Sequence, residues 1–355
     1  MKKTALLLTV VGMILLPCLG FDMDVYRHGA IANVRYRVVD DEDNPVSNAL
    51  AHIWFRTDYP KLVVSDWTAV TDTNGEFVAE FRTNERVSIG VDKEGYYYTF
   101  DRLTFRSEHG RYKVVDDKWQ PYGEIRTIVL KRIKKPIRLR DPDARYRYKY
   151  PVSGEWTGFD LVCGDWMPPL GKGKSADMMV RYVREPRPDG YFKSLDISFT
   201  NNPYAGVYLM DKDSYSEMDS VYEANTNGEY VGNLRYEFER TAKGNHMISE
   251  LGSGQYLVFR IRTKVDDDGN LISAHYGRIM GALQYLEKGG MVLGPVFFNP
   301  TPNDTNLEDA ETARLARLRY DRDRERERQE TAEPPSATFP FVASLLSVGK
   351  AWVRE

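Results

Sequence analysis

Cysteine is almost absent from this sequence, whose 355 residues contain two, Cys18 and Cys163. Cys18 lies in an N-terminal segment that we expect to be removed. The remaining thiol would then have no partner within the chain, so that no intramolecular disulfide could form. The folded chain must therefore be held together by the packing of its core.

The spacings that mark common catalytic and metal sites are also missing. The five histidines are scattered singly, without HExxH or HxH, and no cysteine lies near Cys163. No Gly-x-Ser-x-Gly occurs, because LGSG at 251–254 lacks the first glycine. His52 alternates with strand residues and is interpreted as a satisfied surface or core residue. The sequence therefore predicts no catalytic residue, no metal site and no cofactor, and it favours a protein that is not an enzyme.

A large excess of charge of either sign is lacking as well. Without Lys2 and Lys3, which belong to the removable segment, 47 basic residues (49 − 2) stand against 52 acidic ones, giving a net charge of about −5. A mildly acidic chain offers no broad positive surface to a phosphate backbone. Nucleic acid is therefore excluded as a partner.

Long apolar runs are confined to the N-terminus. Lys2 and Lys3 precede a twelve-residue apolar run at 5–16, which is shorter than the roughly 20 residues of a membrane span. Pro17 then ends the run, and small residues follow up to Gly20. This is the pattern of a secretory signal peptide that is cleaved after Gly20. We expect a secreted or periplasmic protein without a transmembrane segment in its mature chain.

Cys18 offers an alternative for the N-terminus, namely cleavage before the cysteine and attachment of a lipid to it. Lipoprotein signals usually carry a small residue directly before that cysteine, and here the residue is Pro17. Lipid anchoring at Cys18 is therefore the less favoured reading of the N-terminus.

Alternation of apolar and polar residues predicts β-strands in the rest of the chain. In the first part, the alternating segments are 34–38, 49–55, 77–81, 87–91 and 124–133. Asn, Asp, Gly and Pro separate them, which is typical of a β-sandwich and not of βαβ units. Similar segments recur between 151 and 299. The chain is therefore predicted to be all-β, with a sandwich followed by a second, mostly antiparallel β domain.

Composition divides the chain into five predicted parts. These are a signal peptide at 1–20, a β-sandwich at 21–133, a basic, proline-containing linker at 134–150, a second β domain at 151–306, and a charged helix and tail at 307–355.

The tail is predicted to begin with a marginal, solvated helix. Leu307, Leu315 and Leu318 form only a thin apolar stripe among charged residues, which is too narrow for a strong docking face. The apolar segment at 339–353 is either a docked final helix or an adhesive tail.

Two acidic turns resemble calcium loops but lack the required ligands. An EF-type loop needs glycine at position 6 and a bidentate acid at position 12. Counted from Asp72, these positions hold Phe77 and Thr83, and the loop that begins at Asp266 fails at both positions too. Asn74-Gly75 and the Asp266 loop are instead predicted to turn β-hairpins.

The GKGKS segment at 171–175 invites comparison with a phosphate-binding P-loop. That motif needs a glycine five residues before Gly173, where this sequence has Pro168. The segment is interpreted as a flexible turn.

Aromatic residues are the positive indication of ligand binding. Trp156, Trp166, Tyr204, Tyr208 and Tyr215 fall in or near presumed loops of the second domain. Exposed aromatic rings can stack on sugar rings, although an aromatic in a sandwich is more often part of the core. We take Trp156, Trp166, Tyr204 and Tyr208 as candidate ligand-binding residues, with carbohydrate or an envelope protein as the partner.

Within residues 31–131, a hairpin motif and a closing motif are formed by Thr71, Asp72, Gly75, Phe77, Lys93, Gly95 and Tyr96. Through these motifs the segment shows a resemblance to the carboxypeptidase regulatory-like module. It implies a transthyretin-like or immunoglobulin-like sandwich without a peptidase site, of the kind that serves as an accessory or adhesive part of secreted proteins. The family's usual glycine in the first turn is Asn44 here, which tolerates the same backbone conformation. The second domain is similar to uncharacterised domains of exported bacterial proteins, and this similarity implies no activity.

Two functions follow as hypotheses. The first is an exported, non-enzymatic binding or structural protein of the bacterial envelope. The second is a hydrolase of unrecognised type that acts on polysaccharide through carboxylates such as Asp160 or Asp165; no spacing in the sequence places His275 beside either of them. The sequence fixes neither the ligand nor the oligomeric state.

The signal peptide predicts the first residue of the mature protein. Intact-mass measurement of the chain recovered outside the cytoplasm should place that residue at Phe21. A lipidated N-terminus at Cys18 would establish the alternative, and a chain that still begins at Met1 would contradict export.

Overall fold

A computed structural model describes residues 23–57, 63–84, 86–105, 113–139, 147–213, 215–248, 254–281, 283–286, 289–332 and 349–353. The predicted signal peptide, including Cys18, and most of the apolar segment at 339–353 lie outside the described residues. The prediction of an all-β chain is confirmed, since the described part consists of five sheets, the short helix α1 (Met23–His28) and the longer helix α2 (Ala310–Ala332).

Two sheets build the first region. Sheet 1 contains β1 (Ala30–Asp40), β4 (Glu76–Thr83), β7 (Val114–Val115), β8 (Lys118–Trp119) and β9 (Ile125–Leu130). Sheet 2 contains β2 (Leu50–Thr57), β3 (Val63–Val70), β5 (Arg86–Asp92), β6 (Thr99–Thr104) and β23 (Gly349–Val353). The strand β1 pairs with β9 in parallel, whereas all pairs of sheet 2 are antiparallel.

The two sheets pack face to face, as the alternation in the sequence predicted. Val34 and Tyr36 of sheet 1 and Ile53 and Ile89 of sheet 2 are almost fully buried in one shared core. Residues between them, such as Arg35, point to the other side of the sheet. The first region is therefore a β-sandwich.

The predicted hairpin at Asn74-Gly75 is wrong in one respect. The turn is present, because Asp72 Oδ1 accepts hydrogen bonds from the amides of Asn74 and Glu76 at 2.9 and 2.8 Å. However, β3 pairs with β2 and β4 pairs with β1, so the turn links two different sheets. Gly75 has φ +73°, and a Cβ there would meet the carbonyl oxygen of Val38 at 2.3 Å. The segment is a sandwich corner that needs glycine, and the predicted hairpin at 265–271 is found between β18 and β19.

Three sheets build the second region. Sheet 3 contains β11 (Thr157–Asp160), β12 (Asp165–Trp166), β13 (Met178–Arg187), β14 (Gly190–Ser198), β16 (Asn233–Thr241) and β17 (Gly244–Ile248). Sheet 4 contains β15 (Gly206–Asp211), β18 (Gln255–Val265), β19 (Leu271–Met280) and β22 (Val296–Phe298). Sheet 5 contains β10 (Arg147–Lys149), β20 (Leu283–Leu286) and β21 (Gly290–Leu293).

Every described strand pair of this region is antiparallel, in agreement with the sequence. One core joins all three sheets, with Ile197 from sheet 3, Phe259 from sheet 4 and Met291 from sheet 5. The outer side of sheet 4 is covered by a second apolar cluster that includes Tyr256 and Leu307.

The segment at 134–150 was predicted to be a solvated linker, and the position of the domain boundary stays a prediction. Within it, the amides of Lys134 and Lys135 donate to the carboxylate of Glu308, and Ile137 pairs with Asp309. Tyr148 of β10 is buried in the core of the second region. Both described ends of the segment are therefore held by the fold.

Helix α2 docks through residues other than the predicted leucine stripe. Leu315 and Leu318 are half exposed, whereas Ala313 and Ala316 are buried beside Tyr97 and Met218. Small side chains let the helix lie close to its neighbours. The helix begins after Asp309, whose Oδ2 accepts a hydrogen bond from the Thr312 amide at 2.9 Å, as an N-cap does.

Among the described residues, no helix combines the length and the apolar character that crossing a membrane requires.

Asp40, which ends β1, gives a test of the sandwich. Burial alone would raise the pKa of its carboxyl group, but the Arg132 guanidinium and the amides of Asn44 and Glu42 lower it to about 2. Replacing Asp40 by Asn should lower the free energy of unfolding at pH 7 by about 1–3 kcal/mol, the usual cost of losing buried, charge-assisted hydrogen bonds.

Because the pKa is lowered in the folded state, this stabilisation exists above pH 4 and is lost as the pH falls towards 2. The difference between the wild type and Asp40→Asn in urea unfolding should therefore shrink over that range. Asp43→Asn in the same turn is the matched control, since Asp43 is exposed and should change stability by less than about 0.5 kcal/mol. A difference that is constant from pH 7 to pH 3 would contradict the assignment.

Candidate functional site

The outer side of sheet 3 carries a row of charged side chains. In the register of β13, β14 and β16, Arg181 lies opposite Asp196, and Asp196 lies opposite Arg235. Their strand neighbours Val180 and Tyr182 point into the core, so the charged row points outward. We call the surface formed by Arg181, Asp196, Arg235 and Glu237 the polar face.

Hydrogen bonds hold the polar face in one arrangement. Arg181 donates to Asp196 Oδ2 at 3.1 Å, and Arg235 donates to Asp196 Oδ1 at 2.7 Å and to Glu237 Oε1 at 2.6 Å. Asp196 is 7% exposed, whereas Arg235 is exposed. The face therefore presents fixed donors and acceptors on a rigid sheet.

Trp156 borders this face. Its indole is 44% exposed, and the Arg181 guanidinium lies 4.9 Å from the ring centroid. A cation over an aromatic ring is attracted by the ring's electron density and fixes its orientation. Trp156 thus combines an open aromatic surface with neighbouring hydrogen-bonding groups.

The other candidate ligand-binding residues lie elsewhere. Trp166 is 6% exposed and packs edge-on against Phe159, which is the environment of a core aromatic. Tyr204 is half exposed, and its hydroxyl donates to the Gly269 carbonyl. Tyr208 lies on β15 of sheet 4, where its hydroxyl accepts from the Asn225 amide. The structure does not gather these residues around Trp156.

A buried ion-pair network connects sheets 3 and 4. Arg262 of β18 donates to Asp177 at 2.8 Å and to Asp160 at 3.0 Å, and both carboxylates are fully buried. Arg262 has φ +51° and sits where the register of β18 and β19 shifts. Left-handed backbone is unfavourable for arginine, and the two carboxylates hold the residue there.

The GKGKS segment at 171–175 contributes further hydrogen bonds to this network. Asp160 Oδ2 accepts from the amides of Lys174 and Ser175, while Asp160 Oδ1 accepts from the amides of Val162 and Cys163. Burial alone would raise the pKa of Asp160, but these amides lower it. The backbone amides of the segment thus bind a carboxylate of the chain itself. The backbone amides of a P-loop bind phosphate in a similar way.

These contacts bear on the hydrolase hypothesis. With Arg262, Asp160 accepts five hydrogen bonds, so its carboxylate is fully engaged in structure. Asp165 accepts from the amides of Trp166 and Lys172. His275 is half-buried and stacks on Phe298, and burial together with the nearby positive charge of Arg262 lowers its pKa.

A further cluster was missed by the sequence, which predicted no metal site. His52 on β2, Asp92 on β5 and Asp323 on α2 each offer a ligand atom, and these atoms lie within 4.8 Å of one another. No local spacing could reveal it, because the three residues come from distant parts of the chain. A histidine at an outward position of an alternating strand was the signal that the sequence offered.

Comparison with known proteins does not assign a family. The chain matches no family model and no curated protein. The resemblance to the carboxypeptidase regulatory-like module therefore stays a prediction, while the sandwich itself is present.

Similarities to solved structures are remote. A 3-chlorocatechol 1,2-dioxygenase from Rhodococcus opacus 1CP has a TM-score of 0.23 and 14% identity over 29% of this chain and 60% of its own. A streptococcal ancillary pilin has a TM-score of 0.20 and 9% identity over 79% of this chain and 62% of its own. A candidate carbohydrate-binding protein from Bacteroides uniformis has a TM-score of 0.17 and 6% identity over 76% of this chain and 98% of its own. The chain spans about three fifths of the first two proteins, and with TM-scores near 0.2 none of these similarities bears on function.

The network around Arg262 can be tested by substitution. Arg262→Met should lower the free energy of unfolding by about 3–5 kcal/mol, because it leaves Asp160 and Asp177 buried without a countercharge. Arg187→Met is the matched control, since Arg187 forms an exposed pair with Glu185 on sheet 3 and should cost less than about 1 kcal/mol. Chemical denaturation measures both, and equal losses would contradict the structural role of the network.

Proposed function

We propose that the protein is an exported, non-enzymatic binding protein of the bacterial envelope that recognises polysaccharide on the polar face of sheet 3. The observation that carries this proposal is the exposed indole of Trp156 beside Arg181. Such a pair can bind a sugar ring, because the apolar face of the sugar stacks on the aromatic ring while the sugar hydroxyls form hydrogen bonds with the polar neighbour.

The charge pattern favours a neutral or weakly charged glycan. Arg181 and Arg235 are balanced by Asp196 and Glu237, so the polar face carries no net charge. A guanidinium has five N–H donors, and those that Asp196 and Glu237 leave free can reach hydroxyl groups of a ligand. The carboxylates supply acceptors for the same hydroxyl groups.

The rigidity of the face supports binding in preference to catalysis. Its charged side chains are bonded to one another across three paired strands, and such a preformed surface binds a ligand with little ordering cost. Asp160, the first carboxylate of the hydrolase hypothesis, is committed to five hydrogen bonds within the fold. Of the two carboxylates that the hydrolase hypothesis named, Asp165 then remains as a candidate catalytic group.

Export rests on the predicted signal peptide, and we place the protein outside the cytoplasm, either secreted or in the periplasm. In that setting an extended polymer is available to a flat sheet surface. The alternative partner for the same face is an envelope protein, and the experiment below distinguishes it from polysaccharide.

A glycan array followed by titration of any retained glycan tests this proposal. Trp156→Ala should weaken the affinity for that glycan about tenfold or more, because stacking of one exposed aromatic is worth about 0.5–1.5 kcal/mol beyond the area it buries. Tyr122→Ala in the first region is the control, since the Tyr122 hydroxyl donates to Glu80 on β4 of sheet 1 and its loss should leave affinity unchanged.

Retention of no glycan, or equal affinity of the Trp156→Ala variant, would overturn polysaccharide recognition at this face. Capture of a single envelope protein that depends on Trp156 would replace polysaccharide with a protein partner.

A further inference from the structure

The cluster of His52, Asp92 and Asp323 lies where α2 crosses the outer side of sheet 2. In the register of β2 and β5, His52 faces Gly90 and Leu50 faces Asp92, so His52 and Asp92 are diagonal neighbours on one face. Helix α2 brings Asp323 to the same place. The cluster therefore joins the sandwich to a helix that comes more than 200 residues later in the sequence.

The absence of a side chain at Gly90 leaves space for Tyr98 beside the cluster. A Cβ at this position would lie 1.9 Å from the Tyr98 hydroxyl oxygen, so Tyr98 occupies the space that a side chain would need. The His52 ring stacks on Trp54, with centroids 5.8 Å apart and planes 14° apart. Tyr98 and Trp54 thus border the cluster on its aromatic side.

The cluster carries more negative than positive charge. Asp92 is 2% exposed and the Asp323 side chain is 15% exposed, and Glu217 lies near enough to act on Asp92. The guanidinium of Arg319 forms an ion pair with Glu217, and that of the exposed Arg322 lies 3.7 Å from Asp323 Oδ1. Two cations against three carboxylates, with no ion pair to Asp92 itself among the described residues, leave buried negative charge that a proton or a metal ion would balance.

Asp92 is the most deeply buried carboxylate of the cluster. Asp92 Oδ2 is buried and has no hydrogen-bond partner among the described residues. A buried carboxylate oxygen of this kind is a ligand atom that the protein itself leaves unused.

The donor set indicates the kind of cation. One imidazole nitrogen and two carboxylate oxygens suit zinc and similar divalent transition metals, whereas calcium and magnesium prefer sites made of oxygen alone. Zinc lies about 2.0–2.2 Å from such ligands, and small side-chain rotations would bring atoms that now lie within 4.8 Å of one another to that distance.

We propose that His52, Asp92 and Asp323 bind one divalent transition-metal ion, with Zn²⁺ as the best match, and that this ion fastens α2 to the outer side of sheet 2. The role is structural, since each ligand comes from a different element and the ion would link all three. Water that reaches the partly exposed Asp323 completes the coordination.

Titration of the purified, chelator-treated full chain with Zn²⁺ against a chromophoric chelator tests the site. The wild type should bind one Zn²⁺ with micromolar or tighter affinity and should gain thermal stability on binding. Asp323→Asn should weaken that binding about tenfold or more and remove the gain in melting temperature, because it takes away one of three ligands. His52→Gln should have the same effect.

Asp321→Asn is the matched control, because it makes the same chemical change on an exposed position of α2. It should bind Zn²⁺ as the wild type does. Limited proteolysis gives a second readout, in which Zn²⁺ should slow cleavage within α2 of the wild type but not of Asp323→Asn.

Two results would overturn the proposal. One is wild-type affinity in Asp323→Asn, which would place the bound zinc elsewhere, for example on the exposed Cys163. Another is the absence of zinc binding by the wild type, which would leave a proton shared between Asp92 and Asp323 as the balance of charge.

Discussion

The buried carboxylate of Glu308 is the contact on which the arrangement of the whole chain depends. It is 1% exposed and accepts hydrogen bonds from the Tyr97 hydroxyl and from the amides of Lys134 and Lys135. Tyr97 lies between β5 and β6, and Lys134 and Lys135 follow β9, whereas Glu308 immediately precedes the cap of α2. A buried charge is stable only when its bonds are made. Glu308 therefore fixes the start of α2, and with it the face that the helix covers.

Much of the fold could be predicted from the sequence, because the alternation of apolar and polar residues indicates which side of a strand is buried. Val34, Tyr36 and Ile53 were placed correctly in the core for this reason. Alternation could not show that Leu50 and His52, which point outward, are also buried, or that α2 brings Asp323 next to His52. Nor could it show that the turn after β3 leads into the opposite sheet, since a corner and a hairpin use the same residues.

The candidate sites were harder to predict from the sequence, because they are formed by segments that are distant in the chain and lie close together only in the fold. Trp156 was identified by its residue type, but its companion Arg181 follows from the strand register alone. Asp323 stands in a run of alternating charges where no single acid is distinguishable from its neighbours. Even the docking face of α2 was hidden, since Ala313 and Ala316 carry little apolar surface while the more apolar Leu315 faces solvent.

The covering of sheet 2 by α2 has a consequence for the order of folding. A chain that is synthesised or exported from its N-terminus releases β1 to β9 long before α2 and β23 emerge. Until then no helix covers His52 and Asp92 and β23 is not yet paired with β3, so this side and this edge of sheet 2 are open to a chaperone or a second chain. Sheet 2 is therefore completed, and its outer side covered, only after the whole second region has emerged.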